Sequence, residues 1–347
     1  MERLQTINVQ KTLEFYDYFF SNPDIWFNPQ KKYDSEITER FATLLTDPVI
    51  EELIEYQYSS QRLNVAIILV FDQLPYYIHR NNTDVIRLFQ DYIQDFAGYL
   101  IENALSDYSP EEQCFIMMPI RHCNKSNPDV LSVLLNKISE LRKSADCSIY
   151  KRFYKATLIA LATINNSLIE PAKTDITHIY HKDYFRDILD TRSTYTTMGD
   201  IIPAINHDSK SLITTTRNNL QTFYKSRNIT KVCVSFSGGV DSIVLLFLLQ
   251  SIPELDVCAF HVNYGNRATT DDELDLCKLF CQKLGIKFYI RNITEIKRHR
   301  DQDREIYEDI TRRIRFGCYQ LIQESGYTIS LGHNYDDCLE NIVSNIT

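Results

Sequence analysis

The sequence predicts two unlike domains, an all-α one followed by an α/β one built on a parallel sheet. Three observations point there. Residues from about 10 to 170 place apolar side chains at three- and four-residue spacing and contain almost no glycine. From Lys231 onward, short β-prone runs alternate with helical stretches, the pattern of parallel strands joined by right-handed crossovers. Between them, Asp190–Lys210 is polar, rich in Thr and Asp, and poorly periodic. The expected division is an all-helical domain over 1–175, a linker over 176–210 and an α/β domain over 211–347. With 347 residues the chain is long enough for two domains.

In the first domain the spacing predicts helices that include Val9–Phe20, Asp34–Leu45, Leu63–Phe71, Val85–Leu105 and Val130–Arg142. Asp34 and Asn82-Thr83 are suited to helix starts. Leu212, Leu220 and Phe223 give residues 211–227 a helical pattern that leads into the second domain. There the expected strands are Val232–Phe236, Val257–Val262, Phe288–Arg291 and Thr328–Leu331, with helices at about 241–251, 271–284 and 305–325. Thr270-x-x-Glu273 has the form of a capping box, and Gly326 stands where the last of these helices should end.

Composition excludes several classes. The chain is 44% hydrophobic and 24% charged, ordinary for a soluble globular protein. Apolar runs such as Ile67–Phe71 and Val244–Leu249 are too short to span a bilayer, and Met1-Glu-Arg-Leu-Gln lacks a signal-peptide layout. Nine cysteines, an odd number without framework spacing, imply free thiols in a reducing compartment, hence the cytoplasm. Cys277 and Cys281, one turn apart, read as core residues of a helix rather than metal ligands, since no second pair accompanies them. A net charge of −9 argues against wholesale nucleic-acid coating and leaves room for a local basic patch.

The chemistry concentrates where the strand Val232–Phe236 runs into Ser237-Gly238-Gly239-Val240-Asp241-Ser242 and an apolar helix follows at once. Two glycines at a strand end let the backbone turn sharply and present bare N–H groups. The helix start aims its free N–H groups and positive dipole end at the same spot. Ser235, Ser237 and Ser242 add hydroxyls, and Asp241 is better suited to magnesium than to phosphate. Such a constellation suits a pyrophosphate; a bare Gly-Gly turn is the alternative. No Lys follows the glycines, so this is not a Walker loop.

The loop resembles the Ser-Gly-Gly-x-Asp-Ser signature of the PP-loop ATP pyrophosphatases, which split ATP between its α and β phosphates and adenylate a substrate oxygen. Three further segments resemble the tRNA(Ile)-lysidine synthetases of that superfamily. His261-Val-Asn-Tyr-Gly-Asn-Arg267 is similar to their His-Val-x-His-Gly-Leu-Arg, with Tyr264 and Asn266 departing from it. Glu308-Asp-Ile-Thr-Arg312-Arg-Ile-Arg315-Phe316 is similar to Glu-x-x-x-Arg-x-x-Arg-Tyr. Offsets of four and three put Glu308, Arg312 and Arg315 on one helical face, where the carboxylate is expected to hold one arginine while the other meets phosphate. A solvated salt-bridge face is the bland alternative. Gly332-His333-Asn334-Tyr335-Asp336-Asp337 is similar to Gly-His-His-x-Asp-Asp, and carboxylates at the C-terminal edge of a parallel sheet fall in its ligand crevice.

The resemblance implies a Rossmann-like sheet of the adenine nucleotide alpha hydrolase type, incomplete at residue 347, and ATP and Mg2+ as cofactors. It implies catalytic roles for Asp241, Arg312, Arg315, Asp336 and Asp337, with Asp241 and Asp337 on the metal. Nucleotide contacts fall to Ser235, Ser237, Gly238, Gly239, Val240, Asp241, Ser242, His261, Arg267 and His333. The implied reaction joins lysine to C2 of a tRNA anticodon cytidine. Lys297, Arg298, His299, Arg300 and Arg304 form a basic stretch that is either a tRNA-phosphate patch or solvated surface. The family's chain continues well past the last motif, so the expectation is either a truncation or fusion fragment or a protein partner that completes the domain. The related thiolation enzymes use a Cys-x-x-Cys pair, which does not occur here. The alternative to an enzyme is an ATP-binding or partner-dependent interaction protein with a helical recruitment domain.

The first domain resembles an all-helical, tetratricopeptide-like bacterial family of unknown function. The matching pieces are Trp26-Phe27, Tyr33-Asp34-x-x-Ile37-x-x-Arg40-Phe41, Arg62-Leu63, Phe71-Asp72-Gln73-Leu74-Pro75, Arg80 and Phe115-x-Met-Met-Pro119-x-x-His122. Tyr76-Tyr77 replaces that family's Arg-Asn. Pro75 is expected to break a helix, with Asp72 and Arg80 stitching the break as a buried ion pair and His122 structural; the alternative is a groove in which they bind a peptide or small molecule.

Overall fold

Leu63–Phe71 is apolar along almost its whole length, and a helix apolar all round belongs inside a protein. The computed structural model, which describes residues 6–26, 31–166, 207–266, 270–298 and 304–333, puts it there. The chain divides into two compact units, Met1–Ile164 and Asn165–Thr347.

The first unit holds helices α1 (Ile7–Ser21), α2 (Asp34–Phe41), α3 (Asp47–Glu55), α4 (Gln61–Asp72), α5 (Leu74–Ile78), α6 (Thr83–Asn103), α7 (Pro110–Cys123), α8 (Pro128–Ser144) and α9 (Ser148–Ile164). Helix α4 is buried from Leu63 through Asp72 and packs against α1, α5, α6 and α7. Side-chain caps fix the helix starts. Ser60 accepts from the Leu63 amide at 3.3 Å, Asn82 from Val85 at 3.2 Å, and Ser109 with Glu112 closes a capping box. Phe15, Phe19, Phe41, Phe71 and Phe115 fill the core, with the Phe19 and Phe115 rings edge to face at 4.9 Å.

Pro75 does break the helix, separating α4 from α5, but the expected ion pair does not form. Arg80 follows α5, which packs on α2, and its guanidinium binds the first residue of α2, with Nε 2.8 Å from Asp34 Oδ2. Asp72 ends the interior helix and is fully buried. Its carboxylate turns inward, 2.9 Å from His122 Nδ1.

The second unit runs α10 (His207–Ser226), β1 (Lys231–Ser235), α11 (Val240–Gln250), β2 (Asp256–Asn263), α12 (Thr270–Leu284), β3 (Lys287–Asn292), α13 (Arg304–Glu324) and β4 (Thr328–Leu331). The described strands form one parallel sheet in the order β3-β2-β1-β4. Helix α13 ends as expected, with Gly326 at φ +85° in the left-handed region that favours glycine. Cys277 and Cys281 are buried core residues of α12, and no metal-holding cluster of His, Cys, Asp and Glu occurs among the described residues. The chain leaves β1 for β2 and β3 on one side, then returns to place β4 on the other. That reversal opens a crevice at the C-terminal ends of β1 and β4.

Candidate functional site

Both segments at this reversal are short and tightly held. After Ser235 the β1–β2 pairing extends one residue further, the Phe236 amide donating to the Phe260 carbonyl at 2.7 Å. The chain then turns through Gly238 at φ +83°, where a Cβ would stand 2.9 Å from Cys277 Sγ. Gly239 caps α11 without any side chain of its own, so no side chain covers the N–H groups of the first turn. The hydroxyls brace the loop: Ser237 Oγ accepts from the Gly239 amide at 3.2 Å and lies 3.1 Å from Ser242 Oγ. Ser242 in turn donates to the Gly239 carbonyl at 2.9 Å. Val240 is largely exposed, and Asp241 is exposed in the first turn. The result is a positive helix end with no side-chain cap, the electrostatic requirement for an anion.

From the other side of the reversal comes Gly332. A Cβ there would lie 2.9 Å from the Cα and N of Ser242 and 3.0 Å from the Asp241 carbonyl carbon. The end of β4 therefore rests directly on the first turn of α11. His333, next along, is exposed.

His261 lies beneath the loop. Its ring is buried and Nδ1 donates to the Phe236 carbonyl at 2.8 Å, so it props the backbone. Burial pushes the imidazole below its ordinary 6.5, outweighing the opposite effect of that hydrogen bond. The folded state thus prefers the neutral ring, while the unfolded chain takes up a proton near 6.5. The stability His261 contributes is complete above 6.5 and is lost as pH falls below it toward the depressed folded value. Protection factors of the β1 and β2 amides, exchange rates corrected for their intrinsic pH dependence, should fall on acidification through this range. A His261→Gln variant should show a flatter dependence; an equal slope would remove His261 as the cause.

Helix α13 supplies the third wall. Tyr319 Oη lies 2.7 Å from Ser235 Oγ, tying the helix to the end of β1. Burial raises the Tyr319 hydroxyl above its ordinary value, while Ser235 and the nearby Arg315 act in the opposite direction. Arg315 is half-buried, and its Nε is buried without a partner among the described residues. Arg312 is exposed. Glu308 holds neither of the two arginines expected of it: among the described residues its carboxylate pairs with Arg304 at 2.7 Å, one turn earlier. Ser235, Ser237, Gly238, Gly239, Val240, Asp241, Ser242 and His261 are thus assembled around one loop. Arg267, Asp336 and Asp337 lie outside the described residues, as do His299 and Arg300 of the basic stretch.

Tyr319 was not singled out from the sequence. Its signal was there, four residues beyond Arg315 on the same helical face. Arg291 and Glu295 also escaped notice. They form an ion pair at the end of β3 with side chains only 5% and 1% exposed, and the Arg291 guanidinium also bonds the Asn292 carbonyl.

A crevice at the reversal of a parallel sheet, floored by a glycine loop and a bare helix end, defines a nucleotide-binding α/β unit. The family model described as the PP-loop domain matches residues 212–346, and that described as "Bacterial protein of unknown function (DUF924)" matches residues 15–169. The second unit carries a PP-loop domain and the first a helical domain of that bacterial family. Among curated proteins, the tRNA(Ile)-lysidine synthase of Clostridium acetobutylicum is 32% identical over 124 residues, covering 33% of this chain and 26% of that protein. The synthase of Legionella pneumophila (strain Lens) is 32% identical over 119 residues, covering 34% and 26%. The bifunctional protein TilS/HprT of Listeria monocytogenes (serotype 4b) is 27% identical over 122 residues, covering 34% and 19%. The chain spans about a quarter of the length of the synthases it matches. No solved structure matches it significantly. Among the described residues, no helix is long and apolar enough to cross a membrane.

Proposed function

We propose that the chain is an ATP-dependent tRNA-modifying ligase of the cytoplasm, which activates C2 of an anticodon cytidine for attack by lysine. The observation that carries this reading is the loop itself: Gly238 in the left-handed region, Gly239 at a bare helix start, and Gly332 pressed against the same turn.

ATP is the substrate. The amides at the start of α11 would hold its phosphates, leaving the α-phosphorus open to the cytidine C2 oxygen, with pyrophosphate departing. The lysine amine would then displace AMP at C2. Arg312 and Arg315, on α13 beside the end of β1, would offset charge that develops at the phosphate and the base. Asp241, a single exposed carboxylate in the first helical turn, suits Mg2+, which binds through one or two carboxylates plus substrate phosphates. Asp337 is the proposed second carboxylate, and magnesium would neutralise the phosphates. Arg267, His333 and Asp336 would complete the nucleotide and acceptor contacts. A protein partner is proposed to supply the remainder of the lysidine-synthase architecture.

Product analysis of α-labelled ATP with magnesium, bulk bacterial tRNA and lysine tests the reading. AMP should appear only when tRNA is present. Asp241→Asn and Arg312→Ala should each lower its formation about a hundredfold, the usual cost of removing one group that stabilises transition-state charge. Unchanged turnover in either variant would displace that residue from the site. ATP binding without AMP would instead identify an ATP-binding interaction module.

A further inference from the structure

Helix α13 leaves one large apolar side chain in solvent. The Phe316 ring is 58% exposed and has no polar tip for water to hold. Its position is fixed by contacts. The ring meets that of Tyr319 edge to face at 5.6 Å, and Tyr319 Oη lies 2.7 Å from Ser235 Oγ. Tyr319 is itself buried and packs edge to face on Phe260 of β2 at 5.9 Å. Phe316 therefore stands on a side chain anchored to the end of β1, where the chain enters the phosphate loop. Arg312, one turn before Phe316, lies on the same stripe of the helix as Phe316 and Tyr319.

The charges of α13 are sorted around this ring. Arg304 is held by Glu308 at 2.7 Å and Arg313 by Asp309 at 3.3 Å, both solvated pairs within the helix. Arg312 and Arg315 have no carboxylate partner among the described residues. The Arg315 guanidinium carbon lies 5.8 Å from the Phe316 ring centre, and Arg312 is exposed. The two arginines left unpaired are thus the two that flank the exposed ring.

That combination selects among occupants. The other helix-surface neighbours of Phe316, namely Arg312, Arg313 and Gln320, are exposed and polar, so the ring is not part of an apolar patch of the kind that receives a protein surface. A lone aromatic face between cations matches a nucleotide, whose base stacks on the ring while its phosphates meet the charge. A base inside a duplex has both faces covered by its neighbours, so only an unpaired, splayed-out base has a face to offer.

We propose that Phe316 is the stacking platform for an unpaired base of the acceptor RNA, with Arg312 and Arg315 as its cationic flanks. The assignment rests on the tRNA-directed reading above and adds to it the side chain that favours a looped base over a paired one.

The test is a fluorescence titration of the full chain with a tRNA anticodon stem-loop carrying 2-aminopurine at each loop position in turn, beside the same strand annealed to its full complement. Wild type should bind the stem-loop saturably and change the emission at one loop position. Phe316→Leu alters a side chain that is already exposed, so the fold should be kept; stem-loop affinity should fall about tenfold, the ordinary contribution of one stacked base. Phe316→Trp, which keeps an aromatic face, should bind as wild type does, and the duplex should not distinguish the three proteins. Arg312→Gln should reduce the slope of log affinity against log salt by about 0.7, the share of one phosphate contact on a single strand. Equal stem-loop affinity in Phe316→Leu and wild type, an equal loss for the duplex, or a wild type that binds no stem-loop would overturn the stacking role. So would a matching loss of affinity for a fluorescent ATP analogue, which would give the ring to adenine instead. AMP formation with bulk tRNA, measured separately, decides the tRNA-directed reading by itself.

Discussion

Gly332→Ala is expected to abolish nucleotide binding by the second unit. The added Cβ would stand 2.9 Å from the Cα and N of Ser242 and 3.0 Å from the Asp241 carbonyl carbon. Those are backbone atoms of the first turn of α11, with no flexible tip to swing aside. Either β4 withdraws or the helix start shifts, and both move the amides that define the anion site. Forcing one methyl group into a tight contact typically costs about 1–3 kcal/mol. The effect on binding should exceed the effect on stability, because a displacement of a few tenths of an ångström misdirects several hydrogen bonds at once. Binding of a fluorescent ATP analogue, measured beside denaturant unfolding, separates the two. Gly98→Ala in α6, where nothing lies within 4 Å of the new methyl, serves as the neutral comparison. Wild-type affinity in Gly332→Ala would mean that β4 and the phosphate loop do not act as one site.

Glu295→Ala carries the largest expected loss of stability. Its carboxylate is 1% exposed and is the counter-charge for Arg291, itself 5% exposed, and it also accepts from the Thr294 amide at 2.9 Å. Removing it leaves the buried guanidinium without an anion among the described residues, where Arg291 Nε already lacks a partner. Breaking a buried pair on one side costs about 3–5 kcal/mol. Arg291→Met combined with Glu295→Ala should recover most of that loss, since no charge is then stranded. Equilibrium unfolding of the single and double variants decides the matter. A double variant as unstable as Glu295→Ala alone would mean that packing, not charge, sets the cost.

What the sequence made legible was local. The phosphate loop needs only a strand end, two glycines and a helix start, all within a few residues, and the strand–helix alternation around it follows from periodicity. Partner choice was not legible, because it depends on which elements meet. Asp72 and Arg80 flank the same proline, yet burial of α4 turned one inward and the packing of α5 on α2 gave the other to Asp34. Glu308 has an arginine four residues away on either side, and spacing alone could not choose Arg304 over Arg312. Arg291 and Glu295 look like an ordinary solvated pair four residues apart, and only the fold buries them. Gly332 was visible as a motif residue, but its steric reason required knowing that β4 returns beside β1.

That return has a consequence for how the protein is made. β1 and its glycine loop leave the ribosome first among the strands, while β4, which pairs directly with β1, emerges last. Until Gly332 has cleared the exit tunnel, one flank of β1 is bare and the first turn of α11 lacks its backing. A nascent chain released early would carry every residue of the phosphate loop and still be unable to hold ATP. Any capacity for the nucleotide would thus be conferred only once β4 has been made, long after the phosphate loop has been translated.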